Sequence, residues 1–193
     1  MDPIKMAVDN VWSSLSEYSS KQVLETWGIP VTREVLVQNS EEAVAAAEKI
    51  GYPVVLKPCS RDLMHKSDLN CIELGNSGPE AVIRAFGRIR EKITTPLEGI
   101  LVQEMVAGNR ELVAGLSRDP QFGACVMLGF GGVMTELIAE TVFRVAPFDE
   151  NEAMDMIRDL KYRAMLDAFR GQAPADVDTL CRILVSLGLL GLE

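Results

Sequence analysis

Apolar positions recur along this chain at two periods, and the alternation between them lays out its elements. From Ser16 to Trp27 the spacing of Tyr18, Val23, Leu24 and Trp27 predicts a short amphipathic helix that stops at Gly28. Ile29-Pro30-Val31 opens an extended segment reaching Val37. Ser40, with Glu41 and Glu42 behind it, predicts a capped helix whose inner face is Val44, Ala47 and Ile50 and whose stop is Gly51. The β-branched run Val54–Lys57 reads as a buried strand breaking at Pro58, and Cys71–Leu74 as another short strand. Ser77-Gly-Pro-Glu80 has the form of a capping box for a helix to Lys92, with Val82, Ile83, Phe86 and Ile89 inward.

Beyond residue 100 the pattern changes to short strands: Ile100–Val106, Glu111–Ser117, Ala124–Leu128, Val133–Ala139 and Thr141–Val145. Arg118–Gly123 is the turn between the second and third, and an antiparallel arrangement is expected. Asp149, three residues before Glu152, caps a helix to Leu160. Asp176 starts the last one, with Val177, Leu180, Ile183, Leu184 and Leu187 at helical period. The expectation is an α+β chain with a weakly patterned lead over 1–14, a first lobe over 15–105 and a second over 106–193.

Composition narrows the possible functions. At 193 residues and 48% hydrophobic, the chain can bury one good core or two small ones. A net charge of −9 and a pI near 4.7 argue against a nucleic-acid or anionic-membrane surface. A nucleotide needs only a few local cations and backbone N–H groups, so it stays open. Cys59, Cys71, Cys125 and Cys181 form no C-x-x-C pair, and with His65 the only histidine a zinc cluster is not expected. Scattered cysteines, no apolar leader and no run of some 18 apolar residues point to reduced thiols in a cytoplasmic protein without a membrane.

Four segments carry candidate chemistry. Lys57, at the end of a strand, can present a point charge to phosphate oxygens, and the loop after it holds His65 between Asp62 and Asp68. An imidazole there can act as a base or accept a phosphoryl group, with Asp62 or Asp68 orienting its other nitrogen. The same residue types also suit a solvated surface loop, and the stretch alone does not choose between the two. Gln103–Glu111 offers an extended edge to a purine, with Glu111 placed to take ribose hydroxyls. Gly129-Phe130-Gly131-Gly132 allows close backbone approach to phosphate without matching a dinucleotide or P-loop fingerprint. Glu136 has the oxygen chemistry that Mg²⁺ prefers. Lys21, on the first helix, reads most simply as a solvated lysine.

Taken together these segments resemble a known family. GIPV (28–31), GYPVVLK (51–57), HKSD (65–68), LVQEM (101–105), RDPQFG (118–123), GFGG (129–132), FRVAP (143–147) and FRGQAP (169–174) look like the ATP-grasp domain of NDP-forming acyl-CoA synthetases, of which ADP-forming acetate–CoA ligase is a member. The resemblance implies an ATP-grasp fold, two α+β lobes with ATP or ADP between them, truncated at its C-terminal part. It assigns Lys57 to the nucleotide phosphates, Glu104, Met105, Val106 and Ala107 to an adenine-reading hinge, and Glu111 to ribose. Gly131 and Gly132 would close over the phosphates, Lys21 matches a family position of nucleotide binding, and Glu136 would hold Mg²⁺. His65 would accept a phosphoryl group and Asp68 orient it. The implied partner is a CoA-binding α subunit or domain that brings the small carboxylate and CoA. A nucleotide-binding module that regulates a fused acyltransferase-like chain is the alternative it leaves. After HKSD the chain has Leu69-Asn70-Cys71, where the family carries adjacent glycines.

Overall fold

The computed structural model describes residues 4–5, 9, 14–62, 71–108, 110–132, 140–168 and 171–193. The chain divides into two compact units, residues 1–26 with 31–107, and residues 27–30 with 108–193.

The first unit contains α1 (Glu17–Thr26), β1 (Glu34–Val37), α2 (Ser40–Ile50), β2 (Val54–Cys59), β3 (Glu73–Asn76), α3 (Pro79–Lys92) and β4 (Gly99–Glu104). Its four strands lie in the order β1-β4-β2-β3, every neighbouring pair antiparallel. Strand alternation sends Val54, Leu56, Ile100 and Val102 to one face. There they join Ala43, Ala46, Ala47 and Ile50 of α2 and Val82, Ala85, Phe86 and Ile89 of α3 in a single core.

Several expectations shift here. Asn39, not Ser40, caps α2: its side chain accepts from Glu42 N at 2.8 Å, while the Glu42 carboxylate takes the Gln38 N–H at 2.8 Å. The inner face of α2 is alanine-lined, and Val44 is only partly buried against it. No capping box starts α3. Ser77 Oγ turns back to the Gly75 carbonyl, and Pro79 in the first turn supplies the start through its preset φ. Ile83 is 49% exposed, because one turn of α3 places Ala85 rather than Ile83 over the sheet. Strand β2 does not break at Pro58 but pairs with β4 through Pro58–Ile100 and Cys59–Gly99. Its ladder with β3 ends at Leu56–Glu73, so among the described residues Pro58 is paired with a strand on one side only, where a missing N–H is tolerated. The strand expected at Cys71–Leu74 lies at Glu73–Asn76.

The second unit is an antiparallel meander of β5 (Leu112–Asp119), β6 (Gly123–Phe130) and β7 (Thr141–Val145), followed by α4 (Glu150–Arg158), a short 3₁₀ turn (Arg163–Leu166) and α5 (Val177–Leu190). The expected strand Val133–Ala139 lies outside the described residues. Strand β6, flanked on both sides, buries six of its eight residues, and α5 packs on β5 and β6 while α4 packs on β7. Asp149 and Asp176 cap α4 and α5, accepting from Glu152 N and Thr179 N at 2.9 Å each. Three arginines tie the irregular parts down. Arg110 donates to the carbonyls of Ala173 and Asp167, Arg118 to that of Gly191, and Arg144 to Asp159 and Glu152. All four cysteines are buried and none forms a disulfide. Among the described residues no helix is long and apolar enough to cross a membrane.

Candidate functional site

Period-two alternation decides where Lys57 goes. Its neighbours Val54 and Leu56 occupy the helix-covered core, so Lys57 emerges on the opposite face of the sheet with Val55, Leu101 and Gln103. Helix α1 meets it there. Glu17 and Lys21, one turn apart on α1, form an i,i+4 pair at 3.0 Å, and the same Glu17 Oε1 accepts from Lys57 Nζ at 2.5 Å. Lys21 continues the chain of charges. It donates to Glu34 Oε2 at 2.6 Å, to Thr32 Oγ1 at 3.0 Å and to Gln103 Oε1 at 3.5 Å.

Lys21 is therefore not a solvated lysine; its side chain is only 20% exposed. Burial works against its charge, but the Glu34 and Glu17 carboxylates outweigh that cost and hold its pKa above the usual lysine value. Glu34, 6% exposed, keeps its other oxygen, Oε1, without a hydrogen-bond partner among the described residues. A cavity of about 470 Å³ is walled by Lys21 and Glu34 with Tyr18, Gln22, Glu25 and Lys49, and Lys57 is not part of its lining.

The segment Glu104–Ala107, expected from the resemblance to be an adenine-reading hinge, has two parts. Glu104 ends β4, and its carboxylate is committed: it accepts the Arg33 backbone N–H and the Arg33 guanidinium, each at 2.8 Å. Those two contacts, the backbone one first, hold its pKa below the ordinary glutamate value. Past Glu104 the ladder ends and Met105, Val106 and Ala107 run exposed, with their backbone outside the sheet.

In the second unit Glu111, Gly131 and Gly132 are brought together. Gly131 N donates to Glu111 O at 2.7 Å, and a Cβ on Gly131 would lie 3.3 Å from the backbone of Glu111 and Leu112. Gly132 has φ +61°, and a Cβ there would press on the Glu111 carboxylate, 2.9 Å from its Cδ. The glycines leave the clearance that lets the Glu111 side chain lie over this turn. Gly129 is needed for a different reason, since a Cβ there would lie 2.8 Å from the Glu140 carbonyl oxygen.

His65, Asp68 and Glu136 lie outside the described residues. Cys71, the first described residue after this loop, is 2% exposed, its side chain taken into the interior. Sequence reading missed Glu17, Glu34 and Arg33. Glu17 left a signal in its i,i+4 spacing to Lys21; Glu34 and Arg33 left none, because only strand pairing brings β1 beside β4.

Comparison with known proteins agrees with this architecture. A model of the ATP-grasp domain matches residues 7–193. The chain is 38% identical over 184 residues to the β subunit of acetate–CoA ligase (ADP-forming) I from Pyrococcus furiosus, covering 93% of this chain and 79% of that one. It is 42% identical over 176 residues to acetate–CoA ligase (ADP-forming) I of Archaeoglobus fulgidus, 89% of this chain but only 26% of that protein, so it spans about a quarter of that relative. Among solved structures, acetyl-coenzyme A synthetase 1 of Ca. Korarchaeum cryptofilum, in complex with coenzyme A, Ca-AMPCP and HgCl+, superposes with a TM-score of 0.95 at 40% identity, over all of this chain and 86% of that one. The chain belongs to the ATP-grasp family, in the group that contains the β subunits of ADP-forming acetate–CoA ligases.

Proposed function

We propose that this chain is the nucleotide-binding part of an ADP-forming acid–CoA ligase, passing a phosphoryl group between a phosphohistidine and ADP. Lys57 takes nucleotide phosphate oxygens, assisted by Lys21. The exposed backbone of Glu104–Ala107 reads the adenine edge, the Glu111 carboxylate accepts the ribose hydroxyls, and the Gly131-Gly132 turn gives phosphate access to backbone N–H groups. Glu136 would hold Mg²⁺, which neutralises charge between phosphates when bound.

In the full reaction acyl-CoA and phosphate give an acyl phosphate, with CoA leaving as its thiol on a CoA-binding partner subunit or domain. The phosphoryl group moves to a histidine nitrogen and the acid leaves; ADP then takes the group on its terminal phosphate oxygen to become ATP. His65 is the histidine this chain supplies to that traffic, and Asp68 orients it.

The observation that carries the reading is Lys57, a lysine with 16% of its side chain exposed on the sheet face opposite the core, paired with a carboxylate, Glu17, that also holds a second lysine, Lys21. The solved Korarchaeum relative adds support, since one of its structures holds Mg-AMPPCP with a phosphohistidine segment pointing towards the nucleotide binding site. The test is labelling: with [γ-³²P]ATP, Mg²⁺ and the CoA-binding partner, an acid-labile, base-stable phosphohistidine should form. In the His65→Ala variant both His65 labelling and ATP formation should be lost. Undiminished ATP formation in that variant removes His65 from the relay.

A further inference from the structure

We propose that Glu17 is the resident counter-ion of the nucleotide site, holding Lys57 until a phosphate group takes that lysine over. The proposal rests on the reading above, in which Lys57 binds nucleotide phosphate. Two lysines and two glutamates are chained here as Lys57–Glu17–Lys21–Glu34, so their formal charges cancel. A polyphosphate approaching this cluster meets no net positive charge, and must exchange for a carboxylate already in place.

The two lysines are held unequally. Lys21 donates to Glu34, Thr32 and Gln103 as well as pairing with Glu17, and it stays fixed if Glu17 shifts. Among the described residues, the acceptor found for Lys57 Nζ is Glu17. A flexible ammonium held by one carboxylate passes to a phosphate oxygen more readily than one held by four groups, so Lys57 is the lysine that changes partner and Lys21 supports it as a fixed charge. Releasing Lys57 does not strand the anion, because Glu17 keeps Lys21 at 3.0 Å and its side chain is 26% exposed to water. The exchange replaces one charge-assisted bond by another, so Glu17 sets the affinity for phosphate without contributing to the affinity for the nucleoside. A residue needed only to shape α1 would change both alike.

Calorimetric titration of the full chain and its Glu17→Gln variant with ADP, AMP and adenosine separates these cases. Glutamine keeps the shape and an acceptor oxygen while removing the charge, so ADP should bind roughly three- to tenfold tighter, with adenosine unchanged. Unchanged or weaker ADP binding, or an equal change for adenosine, overturns the proposal. Should Glu17→Gln fail to fold, Glu17→Asp shortens the reach to Lys57; a smaller tightening confined to ADP is then expected, and no tightening overturns the idea. Lys57→Met distinguishes the two levels of the argument. If it leaves ADP affinity intact, the phosphate role of Lys57 fails and the proposal with it. If it weakens ADP binding while Glu17→Gln does not tighten it, the counter-ion idea alone fails. A wild-type chain that binds no ADP overturns both.

Discussion

The two units place their candidate groups by opposite means. In the first, four side chains on α1, β1 and β2 are held by charge: Lys57, Glu17, Lys21 and Glu34 satisfy one another across the sheet face opposite the core. In the second, Glu111 lies over a turn because two glycines leave it room. Charge pairing is exchangeable, since a ligand oxygen can replace a carboxylate oxygen. Steric clearance is not, since a Cβ once added stays. The first arrangement suits a group that must change partner during a reaction, and the second a group that must stay in one place.

Four substitutions break or sharpen that contrast, the largest first. Lys21→Met removes the cation from between two carboxylates and leaves Glu34, 6% exposed, with neither oxygen paired to a lysine. Such a stranded charge costs about 3 kcal/mol, read as a lower urea midpoint; adding Glu34→Gln should return part of the loss. If Lys21→Met unfolds with the wild-type midpoint, charge does not hold this face together.

The glycines come next and should differ among themselves. At Gly129 an added methyl would meet the Glu140 backbone carbonyl, which has no cheap way to move, so Gly129→Ala should cost about 2 kcal/mol. At Gly132 the obstacle is the far end of the flexible Glu111 side chain, and Gly132→Ala should cost only about 1 kcal/mol, mostly for the positive φ. The Glu111 carboxylate should be displaced in that variant. A double-mutant cycle with Glu111→Ala measures the steric share, and zero coupling means the two do not touch.

The smallest effect is a pH dependence at a helix cap. The Thr179 N–H and hydroxyl bonded to Asp176 hold its carboxyl below the usual aspartate range. A depressed pKa stabilises the fold above the unfolded-state value near about 4 and loses that contribution as pH falls through the lower folded value. Asp176→Asn, which caps without titrating, should flatten that part of the acid-unfolding profile. An unaltered profile between neutral pH and acid means the cap does not titrate with folding.

Much of this was legible in the chain. The strand Thr141–Val145 and the caps Asp149 and Asp176 stand where their residues predict, because a cap is a local bond spanning three residues. The meander was readable as antiparallel from short strands and a tight turn. Other readings failed for identifiable reasons. Ser40 lost the cap to Asn39 by one residue, since both types can cap and the Glu42 geometry decides. Ile83 has helical spacing yet faces water, because a pattern of period 3.6 fits more than one rotation of α3 about its axis.

Sequence alone determined the local matters: the aspartate caps of the last two helices, where glycine must turn the chain, which family the motifs resemble, and that Val54–Leu56 is a buried run followed by Lys57. Tertiary structure alone decided what Lys57 touches. Glu17 is 40 residues away and Glu34 reaches the cluster through Lys21, so their meeting depends on α1 lying against the sheet face opposite the core and on β4 seating itself beside β1. Local bonds are written in adjacent residues, but a charge network across a sheet is set by strand order, and strand order belongs to the whole fold.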